Sequence, residues 1–212
     1  LETSEGALSL VSPRNAYVSF QIVVKTNGTA SRAPLVSVSD LSGDRGRIDR
    51  GEYAFYLQWY HTINGKFMPD ALVPWGTGNA PADLSFTTVT RINGVPNQSY
   101  AAVWVDLFVP KAIDPGVYRG TITVLAAGTT QTHQVELTAL QASLEDESLL
   151  VADLNSYADN LSRRTDSLRD KETRYRDGTY FRLERQYYRM AHEHRCVFHN
   201  LPYEHSGNIP DS

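Results

Sequence analysis

The sequence predicts a mainly β chain: an antiparallel β-sandwich over residues 1–142, then an α/β part over residues 143–212. Three observations carry this. Charged residues make up 21 of the first 142 positions, about 15%, and 23 of the last 70, about 33%. Eight of the ten prolines lie in the first part. Apolar residues recur with period two before the boundary, as half-buried strands require, and at three- and four-residue spacing after it.

The strands of the first part are read in order. Ala16, Val18, Phe20, Ile22 and Val24 share one face, against Tyr17, Ser19, Gln21 and Lys25. Leu35 to Val38 is a short strand closed by Asp40 and Gly43, and Tyr53 to Tyr60 is an aromatic one. Val103, Val105 and Leu107 alternate with Trp104, Asp106 and Phe108 in the strand Ala101 to Val109. Asp114-Pro115-Gly116 then predicts a type II hairpin turn, with proline at i+1 and glycine at i+2. Val117 to Leu125 follows it, and Gln131 to Leu140 pairs back through Gly128-Thr129-Thr130. A part of this length can bury about two thirds of its surface and fold alone.

The second part begins with the apolar run Ser148 to Leu154, followed by Asn155-Ser156-Tyr157. The spacing predicts a helix over Tyr180 to His194, with Leu183, Tyr187 (or Gln186), Met190 and His194 recurring at three- and four-residue intervals on one stripe. Cys196 to Leu201 is a second strand, followed by Pro202-Tyr203-Glu204-His205. Strand, helix and strand make one βαβ unit. Its strand C-terminal ends, where α/β barrels place their chemistry, fall at 155–160 and 202–212. Asn155, Tyr157, Tyr203, Glu204 and His205 are therefore the candidate substrate-binding residues: carboxylate, amide and imidazole for hydroxyls, tyrosine for stacking on a ring.

Composition excludes several classes. The net charge of -4 gives no basic field for nucleic acid or an anionic membrane. No apolar run approaches the ~20 residues that span a bilayer. Cys196 is the single cysteine, so neither an intrachain disulfide nor a cysteine zinc cage can form. His192, His194, His199 and His205 crowd around it without a zinc-ligand spacing, so the reading assigns no metal and no cofactor. Glu145-Asp146-Glu147 reads as a solvated linker. Tyr53, Phe55, Tyr56, Trp59 and Tyr60 read as a core strand, with a ligand-stacking platform as the sharper alternative. Asp70 sits in the segment Pro69–Pro74, read as a rigid proline-bracketed loop that acts as a turn or buttress.

Four phrases carry a resemblance: Tyr17 to Val24; Pro69 to Pro74; Trp104 to Pro110 with Asp114 to Ile122; and Tyr188 to Arg195. Over roughly residues 15–205 the chain resembles the β-sandwich domain and first barrel units of glycoside hydrolase family 123-like proteins. The resemblance implies a sandwich followed by the first βα units of a (β/α) barrel. It implies a secreted protein acting on N-acetylhexosaminide-containing glycans, in which the substrate's acetamido oxygen attacks the anomeric carbon while two carboxyl groups assist. That pair sits on a later barrel strand, and no position here matches it, so no catalytic residue is carried over and this portion is expected to be inactive alone. A barrel needs ~200 residues or more, so the chain, which opens at Leu1 without a leader, is expected to be a trimmed piece of a longer polypeptide. The alternative is a non-catalytic extracellular sandwich module that binds carbohydrate or self-associates.

Overall fold

The computed structural model describes residues 7–25, 35–80, 82–83, 91–92, 95–96, 100–126, 128–147, 152–157, 160–163 and 178–201. In chain order the elements are β1 (Leu8–Arg14), β2 (Ala16–Lys25), β3 (Leu35–Val38), β4 (Leu41–Gly43), β5 (Gly46–Ile48), a 3-10 turn (Arg50–Glu52), β6 (Tyr53–Ile63) and β7 (Lys66–Thr77). Then come β8 (Ala82–Asp83), β9 (Arg91–Ile92), β10 (Val95–Pro96), β11 (Tyr100–Val109), β12 (Gly116–Ala126) and β13 (Thr129–Ser143). The chain ends in β14 (Ala152–Tyr157), α1 (Asn160–Arg163), α2 (Thr179–Glu193) and β15 (Cys196–Leu201). It divides into two compact units, Leu1–Leu144 and Glu145–Ser212.

The first unit holds two main sheets. One runs β1-β13-β12-β3-β8, with β4 on β12 and β5 on β4; the other runs β2-β11-β6-β7. One apolar cluster takes side chains from both. Val103, Val105 and Leu107 come from β11, Phe55 from β6, Ile122 from β12 and Leu137 from β13. Each strand contributes alternate residues, because successive side chains leave a strand on opposite faces.

Three features depart from the sequence reading. First, β1 pairs with β13 in parallel, Leu8 opposite Val135 and Ser12 opposite Ala139, so the sandwich is not wholly antiparallel. The strand covers the outer edge of β13, which would otherwise bare its backbone. Asn15, with φ of 58°, then turns the chain into the other sheet. This corner is tied down by Asn15 Nδ2 donating to Leu144 O at 2.9 Å and by Asn15 N donating to Val109 O at 2.7 Å. The Arg14 guanidinium donates to the carbonyls of Lys111, Ile113 and Gln141 at 3.0–3.1 Å.

Second, Asp114-Pro115-Gly116 does not close a hairpin. β11 and β12 lie in different sheets, so this segment arches between them. Gly116 has a positive φ of 154°, far from the ~80° of a type II turn, and already pairs with Ala139.

Third, Pro69–Pro74 is not a loop but part of β7, an edge strand in a long hairpin with β6. Asn64 and Gly65 close it with φ of 50° and 73°, the positive pair that a type I′ turn requires. The prolines are tolerated because an edge strand has one row of donors with no partner strand. Asp70 is exposed on this hairpin, 3.9 Å from His61.

Candidate functional site

The second unit is built on two strands 46 residues apart at their key pair. β14 and β15 run parallel, with Ala152 opposite Cys196 and Tyr157 opposite Leu201. Parallel strands need a long crossover, and α2 lies on it. The helix opens at Gly178 with no side-chain cap. Its inward stripe is Tyr180, Leu183, Tyr187 and Ala191. The predicted stripe is correct at Leu183 and Tyr187 but drifts afterwards: Met190 is 51% exposed and Ala191 is the buried neighbour. A 3.6-residue period continued from Tyr180 reaches position 191, and the larger methionine misled the reading.

Phe198 anchors the helix-facing side of β15, 5.5 Å from the Tyr187 ring and 5.3 Å from Tyr188. Asn200 sits on the same side. Its amide donates to the Tyr180 hydroxyl and, at 2.9 Å, to Glu184 Oε1. Those bonds tie the start of α2 to the C-terminal end of β15. Asn200 Oδ1 is buried with no partner among the described residues.

The opposite side of the two strands carries the candidate site. Asp153, Asn155 and Tyr157 of β14 share it with Val197, His199 and Leu201 of β15, because alternate residues leave a strand together. Asn155 is exposed and lies directly opposite His199; Tyr157 is half-buried at the strand end. Both are in the strand rather than in a loop after it, because pairing with β15 continues to Tyr157. Tyr203, Glu204 and His205 lie outside the described residues.

His199 was read only as one member of a histidine cluster. The fold gives it a partner instead: Nδ1 lies 2.8 Å from Asp153 Oδ1. In neutral His199 this fixes the tautomer, with Nδ1–H donated to the carboxylate and Nε2 left as an acceptor. Such a ring can bind a hydroxyl or take its proton. The pairing has no local signature, since it depends on the register of two distant strands. Among the described residues no three His, Cys, Asp or Glu side chains gather as metal ligands. Cys196 is half-buried, its thiol donating to His194 O at 3.4 Å. A glycosidase of the usual kind needs two carboxyl groups flanking the scissile bond; β14 and β15 contribute Asp153 alone.

No family model and no curated protein sequence matches the chain. Among solved structures it is similar to a family 123 glycoside hydrolase from Clostridium perfringens, described for glycolipid glycan hydrolysis, with a TM-score of 0.66 and 16% identity. That likeness covers 90% of this chain and 32% of the enzyme, so the chain spans about a third of its length. Lower likenesses, at TM-scores of 0.31 and 0.34, are to the CooA pilin subunit of enterotoxigenic Escherichia coli and to a structure from a study of VGSC β subunits. They have 15% and 12% identity and cover 63% and 66% of this chain, and 91% and 98% of those chains. The likeness to the hydrolase is one of fold: this mainly β chain is similar in its path to about a third of a family 123 glycoside hydrolase.

Proposed function

We propose that this chain is the N-terminal portion of a secreted glycoside hydrolase-like protein acting on N-acetylhexosaminide-containing glycans. The β-sandwich is its accessory domain, and residues 143–212 open its (β/α) barrel. The observation that carries the reading is the fold likeness over 90% of the chain. A second feature supports it. Parallel strands are ordinarily covered on both faces, yet the face of β14 and β15 that bears Asn155 and His199 is exposed in this unit. Further strands would enclose it and turn Asn155 and Tyr157, with Tyr203, Glu204 and His205 after β15, toward a sugar. The 212 residues alone are inactive on this reading, since the assisting carboxyl pair belongs to later strands.

The test uses the native protein and the 212-residue chain side by side, with p-nitrophenyl N-acetyl-β-galactosaminide as substrate. The native polypeptide should exceed 23.7 kDa by intact mass and release nitrophenol, while the 212-residue chain should not. A native mass of 23.7 kDa, or turnover by the shorter chain that Glu204→Gln abolishes, would sink the proposal.

A further inference from the structure

We infer that the outer face of the four-stranded sheet is a binding platform for a neutral oligosaccharide. It is separate from the strand-end residues above and independent of the hydrolase reading, because every residue in it belongs to the first unit.

The residues facing away from the sandwich core form rows across the strands. Gln21, Trp104, Tyr56 and Pro74 are directly opposite one another on β2, β11, β6 and β7. The next row is Ser19, Asp106 and Ala54, and beyond it Tyr17 lies opposite Phe108. Outward faces of sandwiches are ordinarily polar; this one places aromatic rings on either side of a carboxylate. The Trp104 indole N–H donates to Asp106 Oδ1 at 2.7 Å. Residues two apart on a strand are about 7 Å apart, so an indole that reaches Asp106 lies along the sheet instead of standing out from it. Ser19 donates to the same oxygen at 2.6 Å, which fixes the carboxylate. Gln21 Nε2 donates to Gln58 Oε1 at 3.0 Å across β11, where Ala102 leaves room beneath. The Tyr17 and Phe108 rings are 5.1 Å apart. Phe108 is four positions beyond Trp104, about 13 Å along the strand, which is longer than one sugar ring.

The polar atoms choose the ligand. A pyranose has an apolar C–H face for a flat indole and hydroxyls for amide and carboxylate groups. Gln21 Oε1, Gln58 Nε2 and Asp106 Oδ2 are the atoms not used in the bonds just given. Nucleic acid also stacks on aromatic rings, but Asp106 and the chain's net charge of -4 repel its phosphates. An apolar protein surface would bury the two amides and the carboxylate without replacing their water. A small cation finds Asp106 Oδ1 already taken by two donors.

The experiment titrates the 212-residue chain with chitotetraose, cellotetraose and galactotetraose, read by saturation-transfer NMR and calorimetry. At least one should bind saturably, Trp104→Ala should weaken it by roughly tenfold or more, and Gln21→Ala by severalfold, with the unfolding midpoint of the exposed Gln21 variant unchanged. Gln21→Ala decides the question if Trp104→Ala does not fold. No binding of any of the three at about 10 mM, or equal binding by the variants, would overturn the inference. Saturable binding of choline or oligoadenylate on the same residues in place of the sugars would also overturn it.

Discussion

Tyr118, a residue only 2% exposed, donates its hydroxyl to the carbonyl of Asp114, four residues upstream, at 2.7 Å. This resembles the tyrosine corner of other sandwiches, in which a buried phenol braces the arch that carries the chain between sheets. Here the arch is the segment between β11 and β12, and the same phenol ring packs beside Gly43, where a Cβ would stand 2.9 Å from it.

Tyr118→Phe should therefore cost about 1 kcal/mol, because it leaves the Asp114 carbonyl without its donor. Tyr53 offers the contrast: its hydroxyl is buried and has no partner among the described residues. Tyr53→Phe removes a polar atom that gains nothing in the fold, so it should be neutral to about 1 kcal/mol stabilising. Urea midpoints of the two variants should move in opposite directions, or only that of Tyr118→Phe should move.

The same two phenols predict an alkaline transition. Burial raises the Tyr53 pKa above the ordinary tyrosine range. Burial, then the Asp114 charge, raises that of Tyr118, while Arg14 opposes them. Both are neutral when protonated, and the unfolded chain ionises first. Their contribution is thus fully present below about pH 10 and lost as pH rises above it. Melting temperature should fall beyond pH 10, and less steeply in Tyr53→Phe; parallel curves would refute this.

Gly116 and Gly128 should respond differently to asparagine. Gly116 has φ of 154°, a region that is essentially glycine's alone, while Gly128 has φ of 79°, near the left-handed region that asparagine tolerates. Apart from the chain neighbours, no atom among the described residues lies within 4 Å of a Cβ at either position, so backbone conformation decides. Gly116→Asn should cost about 1–3 kcal/mol and Gly128→Asn well under 1 kcal/mol. Equal denaturant midpoints would contradict this.

Arg14 holds three carbonyls with one guanidinium. Arg14→Ala should destabilise the first unit by about 2 kcal/mol. Arg14→Lys should recover less than half of that, since an ammonium lacks the planar fork that reaches carbonyls on two sides. Full rescue by lysine would show that charge rather than geometry matters there.

Residues 1–144 expressed alone should unfold cooperatively, because the cluster shared by the two main sheets lies entirely within them. Residues 145–212 alone should not, since among the described residues their buried cluster is Leu161, Tyr180, Ala191 and Phe198. A sharp calorimetric transition from the shorter piece as a monomer would contradict the second expectation.

The sequence by itself determined what depends on neighbours along the chain. Alternation marked β2 and β11 and put Val103, Val105 and Leu107 in the core, and the three- and four-residue spacing marked α2. The sequence reading passed over Asn64-Gly65, a hairpin-turn signal, and the prolines at 69 and 74 drew it toward a loop. Only the tertiary structure decided which strands pair. That choice sent the Asp114–Gly116 segment across the sandwich, laid β1 parallel to β13, set Asp153 beside His199, and aligned Gln21, Trp104 and Tyr56 in one row. Such contacts are fixed by register between distant strands, where a shift of one residue would turn every side chain to the other face. Local periodicity tells which residues share a face; it does not tell what that face meets.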